Sequence, residues 1–385
     1  MKIFLSFFQG KPGHPIPAYG FWEYYIKQGI AESGHEWIEC KDVDWAYGLV
    51  AQSSTSFSQW KTAAWEKTVR YLRSHPADLF LAYLYPSQVD AAAIAEIRKM
   101  GIPCVNFFCD NVRTFRRIPE EYRAFDLNWV PESNATGLYR KAGMPFVHLP
   151  MPMWVAPEHR VLKEEKLEQV SFIGSTDIQR IILLEDILSR APELPLAIYG
   201  EGWLNSTSPA APETPVPLKF GLSQWATHQN EFIRSQGLTA WFRKIRYRKN
   251  NTVPSARLRT YLRSKPDFQE YVRLSQESRI TMGINRYPSF RFPLNQPDSY
   301  SRLRDIEAPM LGCCYLTEWA NGLDELYDIG NEIFVYRSPA DFIEQYTRLA
   351  SDEVLRRKLR KKGQLRSLNE HSIPHTLNAI FKTLN

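Results

Sequence analysis

Apolar residues in the first half of the chain fall into short runs, separated by longer stretches in which they recur at helical spacing. Ile3–Phe8 reads as a buried strand, followed by a Gly/Pro loop and a helix over about Ala18–Ser33. "HEWIEC" reads as a second strand, Gln59–Ser74 as a helix and "ADLFLAYL" as a strand. Ala91–Met100 is helical, "IPCVNFFC" and "FDLNWVP" are strands, and Ser133–Ala142 is a helix ending at Gly143. Short, mainly apolar strands alternating with helices predict an α/β fold whose parallel sheet is covered on both faces. Ligands of such sheets sit outside the C-terminal ends of the strands.

The alternation breaks at "LPMPMWVAPEHR" and the charged "KEEKLE", then resumes at Val170. We therefore expect an N-terminal domain over 1–155, a linker over 156–169 and a C-terminal domain over 170–368. A last helix, 369–385, is open to crossing back to the first domain. In the second domain "VSFIGS", "LAIYG", "RITMGIN" and "EIFVY" are strand candidates; helices are expected over Asp177–Arg190, Ala340–Leu349 and "DEVLRRKLRKKGQLR". "APMLGCCYL" reads as a short helix turning at Gly312 into a strand. The region 204–265 is an insert, rich in Ser, Pro and Thr at its start and carrying "WFRKIRYRKN" at 241–250. An Arg-rich helical stretch then runs to about Ser278.

Bulk properties narrow the picture. A chain of 385 residues exceeds what one core usually organises, which supports two domains. Its net charge of +6 suits phosphate-bearing ligands or an anionic membrane surface. The five cysteines lack metal-ligand spacing and read as reduced thiols of a cytoplasmic protein. The apolar start "MKIFLSFF" is too short to cross a membrane. No GxGxxG and no P-loop lysine is present, which argues against nicotinamide and P-loop enzymes. "DVD" at Asp42–Asp44 stands far from the candidate ligand loops and reads as solvated.

Two glycine turns follow strands of the second domain. Gly174 and Ser175 stand where "VSFIG" turns into a helix, a place where backbone N–H groups favour phosphate, with Arg180 a turn or two further on. Gly200 and Gly202 in "IYGEGW" end the next strand. Taken alone, the first reads more simply as an ordinary β–α turn capped by Ser175 or Thr176, and the second has a hairpin-like or Schellman turn as its alternative. In "RLRDIEAPM", Glu307 is suited to accept two hydrogen bonds from a ribose, and Arg304 one turn earlier to meet a phosphate or pair with Glu307. Arg286, just after "RITMGIN", joins this phosphate- and ribose-facing set. On the first domain, His14 in "GKPGHPIPAYG" and Asp110 in "FFCDN" are candidates for a general base, with an uninvolved loop histidine and a helix cap as their alternatives.

"RDIEAPMLGCCYLTEWANGLDELYDIGNEIFVYRSPADF" resembles the C-terminal half of glycosyltransferases related to the spore maturation protein CgeB. Arg304, Glu307, Gly312, Leu316, Thr317, Gly330, Glu332 and Tyr336 fall on the family pattern, with Ile306 in place of its aromatic residue. "ADLFLAYLYP", "GIPCVNFFCDN", "FDLNWVPESNATGLYRKAG" and "VHLPMP" extend the similarity to the first half. The resemblance implies a GT-B fold of two Rossmann-like domains facing a cleft. It implies a nucleotide-sugar donor held by the C-terminal domain, an acceptor held by the N-terminal one, and a part in polysaccharide biosynthesis. Glu307 matches the ribose-facing acid of the Glu-x7-Glu pair in the wider retaining group; the sugar-facing acid would fall at Ser299, beside Asp298. The expected activity is metal-independent, cofactor-free sugar transfer to an unidentified hydroxyl. The rivals are a non-catalytic sugar-nucleotide binder and a sugar-nucleotide epimerase or hydrolase. The 241–250 stretch is a candidate peripheral membrane contact; nucleic acid is disfavoured, since no RNA- or DNA-binding motif accompanies it.

Overall fold

The computed structural model describes residues 1–7, 19–50, 52–204, 253–289, 293–294 and 297–384, with side chains of 19–23 left aside. His14 and the 241–250 stretch lie outside them. The chain divides into two compact units, Met1–Trp154 with Asn369–Asn385, and Val155–Leu368.

The first unit is built on a six-stranded parallel sheet. Its elements are β1 (Lys2–Ser6), α1 (Tyr19–Glu32), β2 (Glu36–Ile38), α2 (Ser54–Ser74), β3 (Leu79–Ala82), α3 (Ala91–Lys99), β4 (Cys104–Phe107), β5 (Leu127–Val130), α4 (Ser133–Ala142) and β6 (Phe146–His148). Strand order is β2-β1-β3-β4-β5-β6. All four residues of β3, β4 and β5 are buried, as strands with helices on both faces require. The order reverses between β1 and β3, which makes the C-terminal ends of these strands, at Ser6 and Ala82, the natural ligand crevice of this sheet. α2 starts five residues before the expected Gln59, because the Ser53 hydroxyl accepts from the Ser56 N–H at 3.1 Å and caps it. Asp44 of "DVD" likewise caps a short turn by accepting from the Ala46 N–H at 3.0 Å.

The second unit holds β7 (Leu167–Ile173), α5 (Ile178–Arg190), β8 (Leu196–Tyr199), α6 (Phe268–Glu277), β9 (Ser278–Gly283), α7 (Leu303–Met310), β10 (Tyr315–Glu318), β11 (Phe334–Tyr336), α8 (Pro339–Ser351) and α9 (Glu353–Glu370). Its five strands are parallel in the order β11-β10-β9-β7-β8, with the switch point between β7 and β9. β7 begins at Leu167, three residues before the expected Val170. The stretch expected to be helical up to Ser278 is broken: a short helix ends at Arg259, Leu262 bridges to Ile198, Asp267 caps α6 by accepting from the Glu270 N–H at 2.8 Å, and Ser278 already belongs to β9. The core behind this sheet collects Phe172, Leu184, Ile187, Ile280, Leu316 and Phe342, all nearly inaccessible.

The closing helix α10 (Ile373–Leu384) belongs to the first unit and packs on α1. Ile373 presses against the bare Cα of Gly29, where an added Cβ would lie 2.6 Å from it. The Ile373 N–H donates to the Met153 carbonyl at 3.0 Å.

Candidate functional site

The turns after β7 and β8 are laced together by their backbones. The Gly174 N–H donates to the Tyr199 carbonyl at 2.9 Å, and the Trp203 indole donates to the Gly174 carbonyl at 2.7 Å. Gly200 has φ of +136°, and a Cβ there would lie 2.2 Å from the Gly174 carbonyl oxygen. Glycine at 200 is therefore dictated by both conformation and space.

The first turn of α5 does not present open N–H groups to a ligand. Asp177 accepts from the Gln179 and Arg180 N–H groups at 2.8 and 3.2 Å; the Ile178 N–H goes to the Ser289 carbonyl and that of Thr176 to Glu201, both at 2.9 Å. The expected phosphate-ready helix end is thus already satisfied by its own cap. Arg180 lies in this web: its Nε stands 3.1 Å from Asp177, and it donates to the Ser175 hydroxyl at 3.1 Å. Burial, then the neighbouring Arg302, push its pKa down to about 10, so it stays charged at neutral pH.

Arg304 and Glu307 lie on one face of α7, as the three-residue spacing requires, 3.9 Å apart. Tyr271, from the first turn of α6, stands between them. Its hydroxyl donates to the Glu307 carboxylate and accepts from the Arg304 guanidinium, which also lies over the Tyr271 ring, 4.5 Å from its centre. Burial, the largest influence on it, holds the phenol pKa well above its usual value, so the hydroxyl keeps the proton it donates. Arg304 also donates to the Ile173 carbonyl at 3.3 Å, tying α7 to the end of β7.

The alternate face of α7 is structural. Asp305 is fully buried and accepts from the Tyr315 and Thr317 hydroxyls at 2.8 and 3.0 Å, and from the Arg302 N–H at 2.8 Å. Pro309, four residues on, has no N–H for the Asp305 carbonyl; the Tyr327 hydroxyl supplies the missing donor at 2.7 Å.

A cavity of about 330 Å³ opens over these turns. It brings together Gly174, Ser175, Gly200 and Arg304 of the expected residues, and adds Tyr271, Glu201, Lys265 and Phe268. Glu307 borders it through Tyr271. Gly202, at φ of +81°, shapes the turn behind Gly200. Arg286 points elsewhere: its Nε donates to Glu318 at 2.9 Å, and its N–H to the same carboxylate at 3.1 Å. Ser299 forms a backbone bridge with Arg286. Sequence reasoning missed Tyr271, whose only sign is one aromatic on an amphipathic helix.

On the first unit Asp110 follows β4 and opens the helical turn Asn111–Thr114, but its carboxylate makes no capping bond there. Burial first, and then charge that includes Asp110, push the Tyr85 hydroxyl pKa up. Beside it, Asn111 is fixed by the Tyr139 hydroxyl at 2.9 Å and by its own bond to the Phe108 carbonyl at 2.7 Å.

Among the described residues no group of three or more His, Cys, Asp and Glu is placed to hold a metal ion, and no helix is long and apolar enough to cross a membrane.

Solved structures share this architecture along the whole chain. A sucrose-phosphate synthase from Thermosynechococcus elongatus matches with a TM-score of 0.58 at 11% identity, covering 100% of this chain and 98% of its own. A glycosyltransferase from Rickettsia africae matches at 0.58 and 10%, covering 100% and 97%. The Anabaena Alr3699/HepE protein in complex with UDP matches at 0.54 and 11%, covering 100% of both chains. Identities this low establish the fold, which is GT-B. No curated protein sequence matches the chain. The family model described as glycosyl transferase-like matches residues 180–382, more than half of the sequence, and the chain belongs to that family.

Proposed function

We propose that this protein transfers a sugar from a nucleoside-diphosphate sugar to a hydroxyl acceptor without a metal ion. The observation that carries this reading is the Arg304–Tyr271–Glu307 array beside the cavity at the ends of β7 and β8. Membership of the glycosyl transferase-like family supports it. Arg304 is the cation for the departing diphosphate, a group whose developing charge must be stabilised for transfer to proceed. Glu307, one oxygen engaged by Tyr271, is the acceptor for the ribose hydroxyls. Gly174, Ser175 and Gly200 let the backbone approach the donor, and Arg180 contributes positive potential from behind Ser175. Gly202 and Arg286 are supporting members: the first sets the β8 turn, the second holds the end of β9 through Glu318. Asp110 and His14 are the proposed proton acceptors for the incoming hydroxyl.

Because Alr3699/HepE has been solved with UDP and with UDP-glucose, uridine nucleotides are the first donors to try. The purified protein is incubated with UDP-glucose and a panel of glycan, lipid and small-molecule acceptors, and released UDP is measured. Release that depends on acceptor supports transfer; UDP release with no acceptor requirement marks a hydrolase. Tight nucleotide binding without release for any sugar nucleotide marks a non-catalytic binder.

A further inference from the structure

A second cavity, about 690 Å³, opens beside Leu167, at the start of β7. Seven residues at about 3.3 Å each put this end of the strand on the order of 20 Å from the Gly174 turn. Seven cationic side chains line it, against four carboxylates. Its floor is formed by Arg356 and Arg360 of α9, each only 5% exposed. Both turn to one acid: Arg356 meets Glu165 at 2.9 Å and Arg360 at 3.6 Å. Two buried guanidiniums sharing one carboxylate leave a surplus positive charge where desolvation makes it costly. The rim adds to the surplus. Arg357 is paired with Glu353 at 2.6 Å, but Lys163 and Lys361, both exposed, have no carboxylate partner among the described residues.

We propose that this cavity binds a phosphate-bearing anion, seated between Lys163 and Lys361 above the Arg356–Arg360 floor. The Arg356 and Arg360 N–H groups are engaged by Glu165 and by backbone carbonyls, so the floor contributes positive charge while the Lys163 and Lys361 ammoniums supply the donors to the phosphate oxygens. Its volume and concavity fit a small molecule or a single headgroup rather than a polymer lying along a surface. A free phosphorylated metabolite and an anionic lipid headgroup share this chemistry.

The test starts from full-length protein carrying Arg304→Ala, which removes the guanidinium of the donor cavity. This protein, and a second that also carries Lys163→Glu and Lys361→Glu, are titrated calorimetrically with inorganic pyrophosphate at low salt. Both lysines are exposed, so the fold should persist, and circular dichroism checks it. Saturable binding in the first protein that is at least tenfold weaker in the second supports a free-anion site. A parallel arm measures sedimentation with phosphatidylglycerol and phosphatidylcholine vesicles. Binding to the former alone, lost in the charge-reversed protein, supports the site and assigns it to a lipid headgroup. Absence of binding in both arms, or binding unaffected by the charge reversal, overturns the proposal.

Discussion

Tyr271→Phe isolates what the phenol hydroxyl does for the donor site. The ring stays, so the stacking of Arg304 at 4.5 Å stays with it. The attraction between Arg304 and Glu307 at 3.9 Å also survives; at an effective dielectric constant of about 20 it has a gross size of about 4 kcal/mol before desolvation is subtracted. What disappears is one hydrogen bond to a carboxylate and one from a guanidinium. Bonds to charged groups contribute about 1.5–3 kcal/mol each. Arg304 retains its Ile173 carbonyl and is close enough to move onto Glu307, so we expect only one of the two losses to persist, about 2 kcal/mol. If Tyr271 holds the carboxylate in the orientation that a ribose needs, nucleoside-diphosphate affinity falls by the same amount, roughly 30-fold. Calorimetric titration of UDP into parent and variant measures this directly, with a thermal melt alongside. A variant that melts earlier yet binds UDP within twofold of the parent would refute the reasoning, because the hydroxyl would then serve the fold alone.

Other expectations can be checked in parallel. Glu307→Ala should weaken nucleoside-diphosphate binding at least about tenfold, roughly 1.4 kcal/mol, and unchanged affinity removes the acid from the ribose. Gly200→Ala should cost more than about 2 kcal/mol in a denaturant melt, since its Cβ would stand 2.2 Å from the Gly174 carbonyl at a φ of +136°; a neutral result would mean the two turns separate freely. Sugar transfer should continue in excess chelator, and its collapse with rescue by manganese would show a metal requirement.

The parallel sheets are legible because β3 is apolar throughout and β4 and β5 are apolar but for one buried asparagine each, Asn106 and Asn128, a pattern that burial on both faces rewards. The start of α2 is not, since "SSTSFS" lacks apolar periodicity and the helix begins on the strength of the Ser53 cap. The three half-buried residues of β6 are too few to carry a pattern. At the site, glycines after strands and the three-residue spacing of Arg304 and Glu307 are local signals, and they can be read in one dimension. The contact of Tyr271 with α7 crosses more than thirty residues, as does the capture of Arg286 by Glu318. Such pairings are made by strand order, so no window of sequence contains them. Asp177 illustrates a subtler limit: the residue that makes a good helix start also uses up the N–H groups a ligand would want.

Arg360 of α9 serves two helices at once. One guanidinium closes the carbonyl of Gly312 just past α7 at 2.7 Å, and the carbonyl of Gln276 near the end of α6 at 2.9 Å. The helices bearing Arg304 and Tyr271 are thereby hinged to a common pin at their far ends. A shift of either one is passed to the other, so in the proposed site the group facing charge and the group facing the pentose would move together. Divergence toward a new donor would then have to proceed through lining side chains on neither helix, such as Glu201 and Lys265.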